Sequence, residues 1–165
     1  MKKILNPLII ICVLITTNCG FSPKYSGFKN VNFNLTINGA SGDRTLNNSI
    51  KSLLKRYQNN NNDRDDTESY AIEFTSTYER STASRDSKGQ ATQYNLKASV
   101  VFDVSFEGGS KELEFSEVFT INNIENTVEE NDYIKLIKGN FAEIFSDKLI
   151  INIQKINDTE SIRSK

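Results

Sequence analysis

The sequence predicts an α+β domain, a two-layer sandwich with two helices on one face of a four-stranded, mostly antiparallel sheet, in the order β-α-β-β-β-α. Three observations lead there. From Ser69 to Phe106 apolar residues recur at even spacing on both sides of a polar turn, Arg85-Asp86-Ser87-Lys88-Gly89-Gln90, which is the side-chain period of a strand. Glu107-Gly108-Gly109-Ser110 then turns the chain into a further strand. Two other stretches, one beginning near Arg44 and one near Asp132, carry apolar residues at helical spacing instead. Two helical stripes and one apolar sheet face bury one another in two layers, and antiparallel pairing lets the opposite sheet face stay wet.

In chain order, Val31, Phe33, Leu35 and Ile37 alternate with Asn32, Asn34 and Thr36 as a first strand, and Asn38 to Asp43 has loop composition. A helix from Arg44 or Thr45 aligns Leu46, Ile50, Leu53, Leu54 and Tyr57. Asn59 to Asp66 is polar and reads as a loop. In the hairpin, Tyr70, Ile72, Phe74 and Tyr78 oppose Glu73 and Glu79 in parity. Its second arm alternates Tyr94, Leu96, Ala98, Val100, Phe102, Val104 and Phe106 with polar residues. Such a ribbon is longer than the usual strand of about 17–20 Å, so its basic tip, with Arg85, Lys88 and a turn glycine, projects as a candidate functional surface. The next strand holds Leu113, Phe115, Val118, Phe119 and Ile121, and its change of parity predicts a bulge near Glu117. After a polar connector from Asn122 to Asn131, a last helix is expected from about Asp132, as N-cap, to Ile156. Ile134, Ile137, Phe141, Ile144, Phe145, Lys148, Leu149, Ile153 and Ile156 fall on one side of it, and Gly139 weakens it by about 1 kcal/mol relative to alanine.

Composition excludes several functions. The 165 residues carry a net charge of −1, which supplies no basic field for nucleic acid. There is no histidine, the commonest general base and zinc ligand. Asp63, Asp65, Asp66 and Glu68 cluster in a polar stretch with no apolar surroundings to shift a carboxyl pKa. No glycine-rich loop has phosphate-binding spacing and no serine or cysteine has an adjacent base. The expectation is a protein without catalytic residues, metal or cofactor. The aromatic residues of the hairpin read as sheet core rather than as a ligand pocket.

The first eighteen residues have the layout of a secretory signal, with Lys2 and Lys3 before an apolar run from Pro7 to Ile15. That run is shorter than the roughly 20 residues a spanning helix needs. It leads to Thr16-Thr17-Asn18-Cys19-Gly20, which resembles the lipobox of bacterial lipoproteins, where lipid is attached to the cysteine and the signal is cleaved before it. Thr16, Thr17 and Asn18 depart from the usual box of leucine, small residues and cysteine. A glycine after Cys19, rather than aspartate, resembles lipoproteins sent to the outer membrane. Cys12 lies within the apolar run, as a small hydrophobe. The expected organisation is a signal peptide over 1–18, a lipidated start and linker over 19–30, one domain over 31–157, and a charged tail over 158–165.

With these elements in place the chain resembles the LPS-assembly lipoproteins of the LptE family. The resemblance rests on Cys19-Gly20-Phe21-x-Pro23-x-Tyr25 at the mature start, on Gly89-Gln90-Ala91-Thr92-Gln93-Tyr94-Asn95-Leu96 at the hairpin turn, and on the order of elements. It implies a lipid anchor at Cys19 in the inner leaflet of the outer membrane. It also implies a place as plug inside the β-barrel LPS translocon LptD, and help in assembling that barrel. It further implies contact with lipopolysaccharide through basic residues near the hairpin turn, here Arg85 and Lys88. Where the family places another basic residue before the last helix, this chain has Val128-Glu129-Glu130. The alternatives are an auxiliary or pilot lipoprotein of another envelope transport complex, and a soluble ligand-binding domain.

Overall fold

The computed structural model describes residues 33–58 and 68–163. The elements are β1 (Phe33–Gly42), α1 (Arg44–Leu54, continued by a 3-10 turn over Lys55–Tyr57), β2 (Glu68–Arg85), β3 (Ala91–Phe106), β4 (Gly109–Asn122) and α2 (Thr127–Arg163). The expected segments before Phe33, with Val31 and Cys19, lie outside the described residues, as does the acidic stretch holding Asp63, Asp65 and Asp66.

The sheet runs β1-β2-β3-β4. β1 lies parallel to β2, while β2-β3 and β3-β4 are antiparallel. At roughly 3.3 Å per residue, the eighteen residues of β2 stretch close to 60 Å. The alternation in the hairpin has its expected consequence: Tyr70, Ile72, Phe74, Leu96, Ala98, Val100, Phe102 and Val104 are all buried on one face. Against that face lie Leu46, Ile50, Leu54 and Tyr57 from the α1 segment, and Ile137, Phe141, Phe145, Leu149, Ile153 and Ile156 from α2. Aromatic pairs join the layers and the strands, with Phe119 and Phe141 at 5.1 Å and Phe74 and Phe102 at 5.3 Å between ring centroids. Such pairs add about 0.5–1.5 kcal/mol each beyond burial.

Three boundaries differ from the sequence reading. β1 does not end at Ile37 but continues to Gly42. A shift of register between Ile37 and Gly39 leaves Asn38 without a partner on β2, and pairing then resumes as far as Gly42 opposite Ser76. Second, no bulge interrupts β4 near Glu117; its register with β3 is unbroken from Gly109 to Asn122. Glu117 takes the helix-facing position instead and pairs with Lys148 of α2, which leaves Val118 53% exposed on the other face. The change of parity is a half-buried charge pair, not a kink.

Third, α2 starts at Thr127 and not at Asp132. Asn126 is the cap, with its Oδ1 accepting from the amides of Val128 at 3.0 Å and Glu129 at 3.4 Å. Glu129 and Glu130 in the first turn favour the positive end of the helix dipole. The helix also runs beyond Ile156 to Arg163, through most of the segment expected to be a tail.

A polar knot joins the sheet to both helices. Asp43 caps α1, its Oδ1 accepting from the Leu46 amide at 2.9 Å, while its Oδ2 accepts from Lys138 of α2 at 2.7 Å. The Asp43 amide donates to the Ser76 carbonyl at 3.1 Å. Fully buried Ser76 donates through Oγ to Asn47 Oδ1 at 2.6 Å, and Asn47 Nδ2 donates to the Ser41 carbonyl at 2.9 Å. Gly42 makes this junction possible. Its φ is +98°, and a Cβ there would collide with the Ser76 carbonyl. A left-handed conformation costs a residue with a side chain about 1–3 kcal/mol, and the clash adds to it.

Gly42→Ala is therefore expected to cost about 3 kcal/mol or more, read as a loss in urea midpoint. Gly139→Ala has the opposite sign: a Cβ at Gly139 meets nothing within 4 Å, so the variant gains about 1 kcal/mol from helix propensity alone.

The knot is also sensitive to acid. Burial raises the pKa of Asp43, but the hydrogen bond and charge of Lys138 and the amides of Leu46 and Thr45 outweigh it, holding the carboxyl below its ordinary 3.8. A depressed folded pKa contributes stability that is present above the ordinary value and lost as pH falls through the lowered one. Asp43→Asn keeps a capping side chain and removes the charge. Urea midpoints measured from pH 2 to 7 should show it less stable than the parent at pH 7, with the difference closing below pH 4.

Candidate functional site

Beyond Arg80, which Glu130 of α2 still reaches, the β2–β3 hairpin leaves the cover of the helices: Ser81 to Ala83 and Arg85 are exposed, and Ser84 is half-buried. β4 supports this part only as far as Asn122 opposite Gln93, with the Asn123 amide donating to the Thr92 carbonyl at 2.8 Å. From Thr82 outward β2 pairs with β3 through two shifts of register, at Thr82/Ser84 and Ser84/Arg85. Bulges of this kind increase local twist and turn the tip away from the plane of the sheet.

The tip is a tightly bonded turn. The Asp86 amide donates to the Gln90 carbonyl at 2.9 Å, and the Gly89 amide to the Asp86 carbonyl at 3.0 Å. Asp86 Oδ1 accepts from the amides of Lys88 and Gln90, both at 2.8 Å. Gly89 has φ +83°, which a glycine adopts without cost. Arg85 Nη1 donates to the Gly89 carbonyl at 2.8 Å, which folds the guanidinium across the turn and leaves its other N–H groups for a ligand. Lys88 is exposed, with no partner for its ammonium among the described residues. Arg85 and Lys88 thus share one rigid turn. Asp86 sits between them with one oxygen spent on backbone amides, and the chemistry available is the grip of an anionic oxygen by charge-assisted hydrogen bonds.

The structure adds a residue that sequence reasoning missed. Arg80 Nη2 donates to Glu130 Oε1 at 2.6 Å, and its guanidinium carbon lies 3.6 Å from the centroid of the Tyr94 ring. Burial alone would lower the pKa of this group, but Glu130 and then Tyr94 raise it. The signal was present in the sequence: Arg80 follows Tyr78 in the parity of the apolar face, where a cation needs an acidic partner. Glu130 supplies it. One step inward, the Lys138 ammonium lies 4.0 Å from the Tyr78 ring centroid. Burial, followed by the nearby charges of Asp43 and Glu130 and despite Arg80, raises the pKa of that phenol. Arg80 is thus committed to holding the hairpin against the start of α2, and at the hairpin tip Arg85 and Lys88 remain for a ligand.

Of the acidic cluster, Glu68 is described, and its Oε2 accepts from the Tyr70 hydroxyl at 2.7 Å. Among the described residues no three His, Cys, Asp or Glu side chains could hold a metal ion, and no helix is long and apolar enough to cross a membrane. Arg80→Ala should lower stability by about 1 kcal/mol and speed amide exchange in 91–95. Lys88→Ala should leave stability within about 0.5 kcal/mol of the parent. Amide exchange and urea unfolding of the two variants check both.

No protein-family model matches the chain, and no curated protein matches it. Solved structures do. Rare lipoprotein B from Shewanella oneidensis superposes with a TM-score of 0.52 at 19% identity, covering 80% of this chain and 99% of that one. Lipoprotein B from Nitrosomonas europaea gives 0.49 at 10% identity over 74% and 85% of the two chains. A minor lipoprotein from Acinetobacter baumannii gives 0.45 at 16% identity over 69% and 93%. At 19% identity the likeness to the first of these is one of fold: the β-α-β-β-β-α sandwich of this chain is that of rare lipoprotein B.

Proposed function

We propose that this chain is a lipid-anchored lipoprotein of the outer membrane. It sits on the periplasmic side, within the lumen of the LPS translocon barrel LptD, and supports assembly of that barrel and lipopolysaccharide transport. The role is that of a structural partner and not of a catalyst. The observation that carries the reading is the open face of the sheet. Polar side chains bridge its strands: Ser41 with Thr75 at 2.8 Å, Asn95 with Thr120 at 2.8 Å, Ser99 with Ser116 at 3.0 Å, and Gln93 with Asn122 at 3.2 Å. Glu79 lies opposite Lys97 on the same face. Lumens of large barrels are polar and wet, and a plug needs a surface that stays hydrated there.

The lipobox resemblance at Cys19 and the fold of rare lipoprotein B support the envelope part of the reading. Lipidation with more than one acyl chain makes a stable anchor. From Cys19 to Phe33 the chain can reach at most roughly 50 Å, enough for a domain seated in a barrel to remain tethered to the inner leaflet. At the exposed tip, Arg85 and Lys88 supply the grip for the anionic phosphates of lipopolysaccharide.

Affinity purification from solubilised outer membranes, with Cys19→Ala in parallel, tests the reading. The parent should retain a large translocon barrel at equal stoichiometry, and Cys19→Ala should leave the membrane fraction. Charge reversal of Arg85 and Lys88 should weaken lipopolysaccharide binding without releasing the barrel. Recovery of a transporter component or a secretin in place of the barrel would make the chain an auxiliary or pilot lipoprotein.

A further inference from the structure

The two edges of the sheet differ in a way the plug role does not require. A sheet edge offers unpaired N–H and C=O groups, and proteins commonly guard it with charged residues. β4 follows that rule, with Lys111, Glu112, Glu114 and Glu117 among its fourteen residues. β1, the opposite edge among the described residues, reads Phe-Asn-Leu-Thr-Ile-Asn-Gly-Ala-Ser-Gly and holds no charged residue in ten.

Beside this uncharged edge lies a cavity of about 460 Å³. Ile37, Asn38 and Gly39 form its strand side, and Lys51, Lys55 and Gln58 its helix side. Lys51 and Lys55 are four residues apart on the α1 segment, so they are neighbours on one face. Both are exposed, and no carboxylate pairs with either among the described residues. They also complement the carbonyl end of α1, which explains their charge but not the uncharged strand they face. Asn38, which has no register partner on β2, lines the same cavity.

We propose that the outer edge of β1 receives a short, extended, acidic segment of a partner protein by strand addition, with its carboxylates seated between Lys51 and Lys55. Main-chain hydrogen bonds to an open edge supply affinity in this mode and side-chain pockets supply specificity. Here the pocket has an apolar wall in Ile37 and two ammonium groups. Alternate side chains of an extended segment face the same side, so the pocket selects one with acidic residues at every second position, about five residues long on the Phe33–Ile37 side of the shift. The surface is separate from the hairpin tip, so its failure would leave the translocon reading standing.

The test titrates the purified full chain with a capped peptide of about seven alternating valine and glutamate residues, followed by amide chemical shifts and hydrogen exchange. The peptide should move the amides of 35–39 and 51–58 and slow exchange along β1. A valine–lysine peptide should bind roughly tenfold more weakly or less. N-methylation of alternate peptide amides should abolish binding. Lys51→Glu with Lys55→Glu, folded by its amide spectrum though with a somewhat lower urea midpoint from the lost helix-end cations, should reverse the preference between the two peptides. Equal response to both peptides, or shifts confined to β4, would overturn the proposal. So would a concentration-dependent dimer joined through β1, since the occupant would then be a second copy of this chain.

Discussion

The fold turns on one half-buried carboxylate. Asp43 terminates β1, caps α1, and receives the Lys138 ammonium from α2, all within three residues of the point where β1 closes on Ser76. A parallel strand pair needs a crossover, and a crossover needs its helix aimed back over the sheet. In this chain the aim is set by hydrogen bonds: Asn47, one turn into α1, holds the Ser41 carbonyl, and Ser76 holds Asn47. The partners are satisfied together, which is the condition under which a buried polar network rigidifies a core and does not weaken it. Gly42 is the geometric requirement for that knot and Lys138 the electrostatic one. Loss of either would leave a polar group of the knot without its partner.

The same logic recurs at lower stakes where charge meets the helix layer. Glu117 and Lys148 occupy an otherwise apolar interface, as do Arg80 and Glu130 nearer the tip. Both pairs are partly exposed, so each contributes modestly to stability, but each fixes where α2 lies along the sheet. Three ion pairs from α2 to the rest of the fold, through Glu130, Lys138 and Lys148, are spaced along its length and define one alignment. The open face is arranged differently. Glu73, Asp103 and Glu112 stand directly opposite one another across three strands, an arrangement that costs a few tenths of a kcal/mol per pair. A face that tolerates this is one that packing does not constrain.

Legibility in the sequence followed the strength of the local signal. The hairpin was readable because eighteen- and sixteen-residue strands repeat the period of two many times, and its turn was readable from Asp86 and Gly89. The helix stripes were readable for the same reason. What misled was composition standing in for geometry. Asn38 to Gly42 looks like loop because glycine, serine and asparagine are turn formers, yet a single register shift absorbs the extra residue and the strand continues. Glu117 broke the parity of β4 only for a reader who assumed that every inward position is apolar. Asp132 is a good cap by residue type, but Asn126 is preceded by a connector that ends sooner, and two acidic residues extend the first turn. Arg80 and its acidic partner are fifty positions apart, and pairing across that distance leaves no periodic trace.

For the candidate site, the sequence located the tip but not its support. Arg85 and Lys88 are three positions apart, so their Cα atoms lie within about 11 Å of one another in any conformation. Their orientation needs the fold. A two-stranded ribbon extending past its sheet would swing freely, since an isolated hairpin is marginal in water. The guanidinium of Arg80, stacked on Tyr94 and bonded to Glu130, joins both arms of the ribbon to the first turn of α2 at the last point where the third strand still supports it. The direction of the tip cations is thereby tied to the helix that Lys138 locks to Asp43. An anion gripped at Arg85 and Lys88 would act on a lever whose fulcrum is Arg80, and the stiffness of that grip depends on a residue that never touches the ligand.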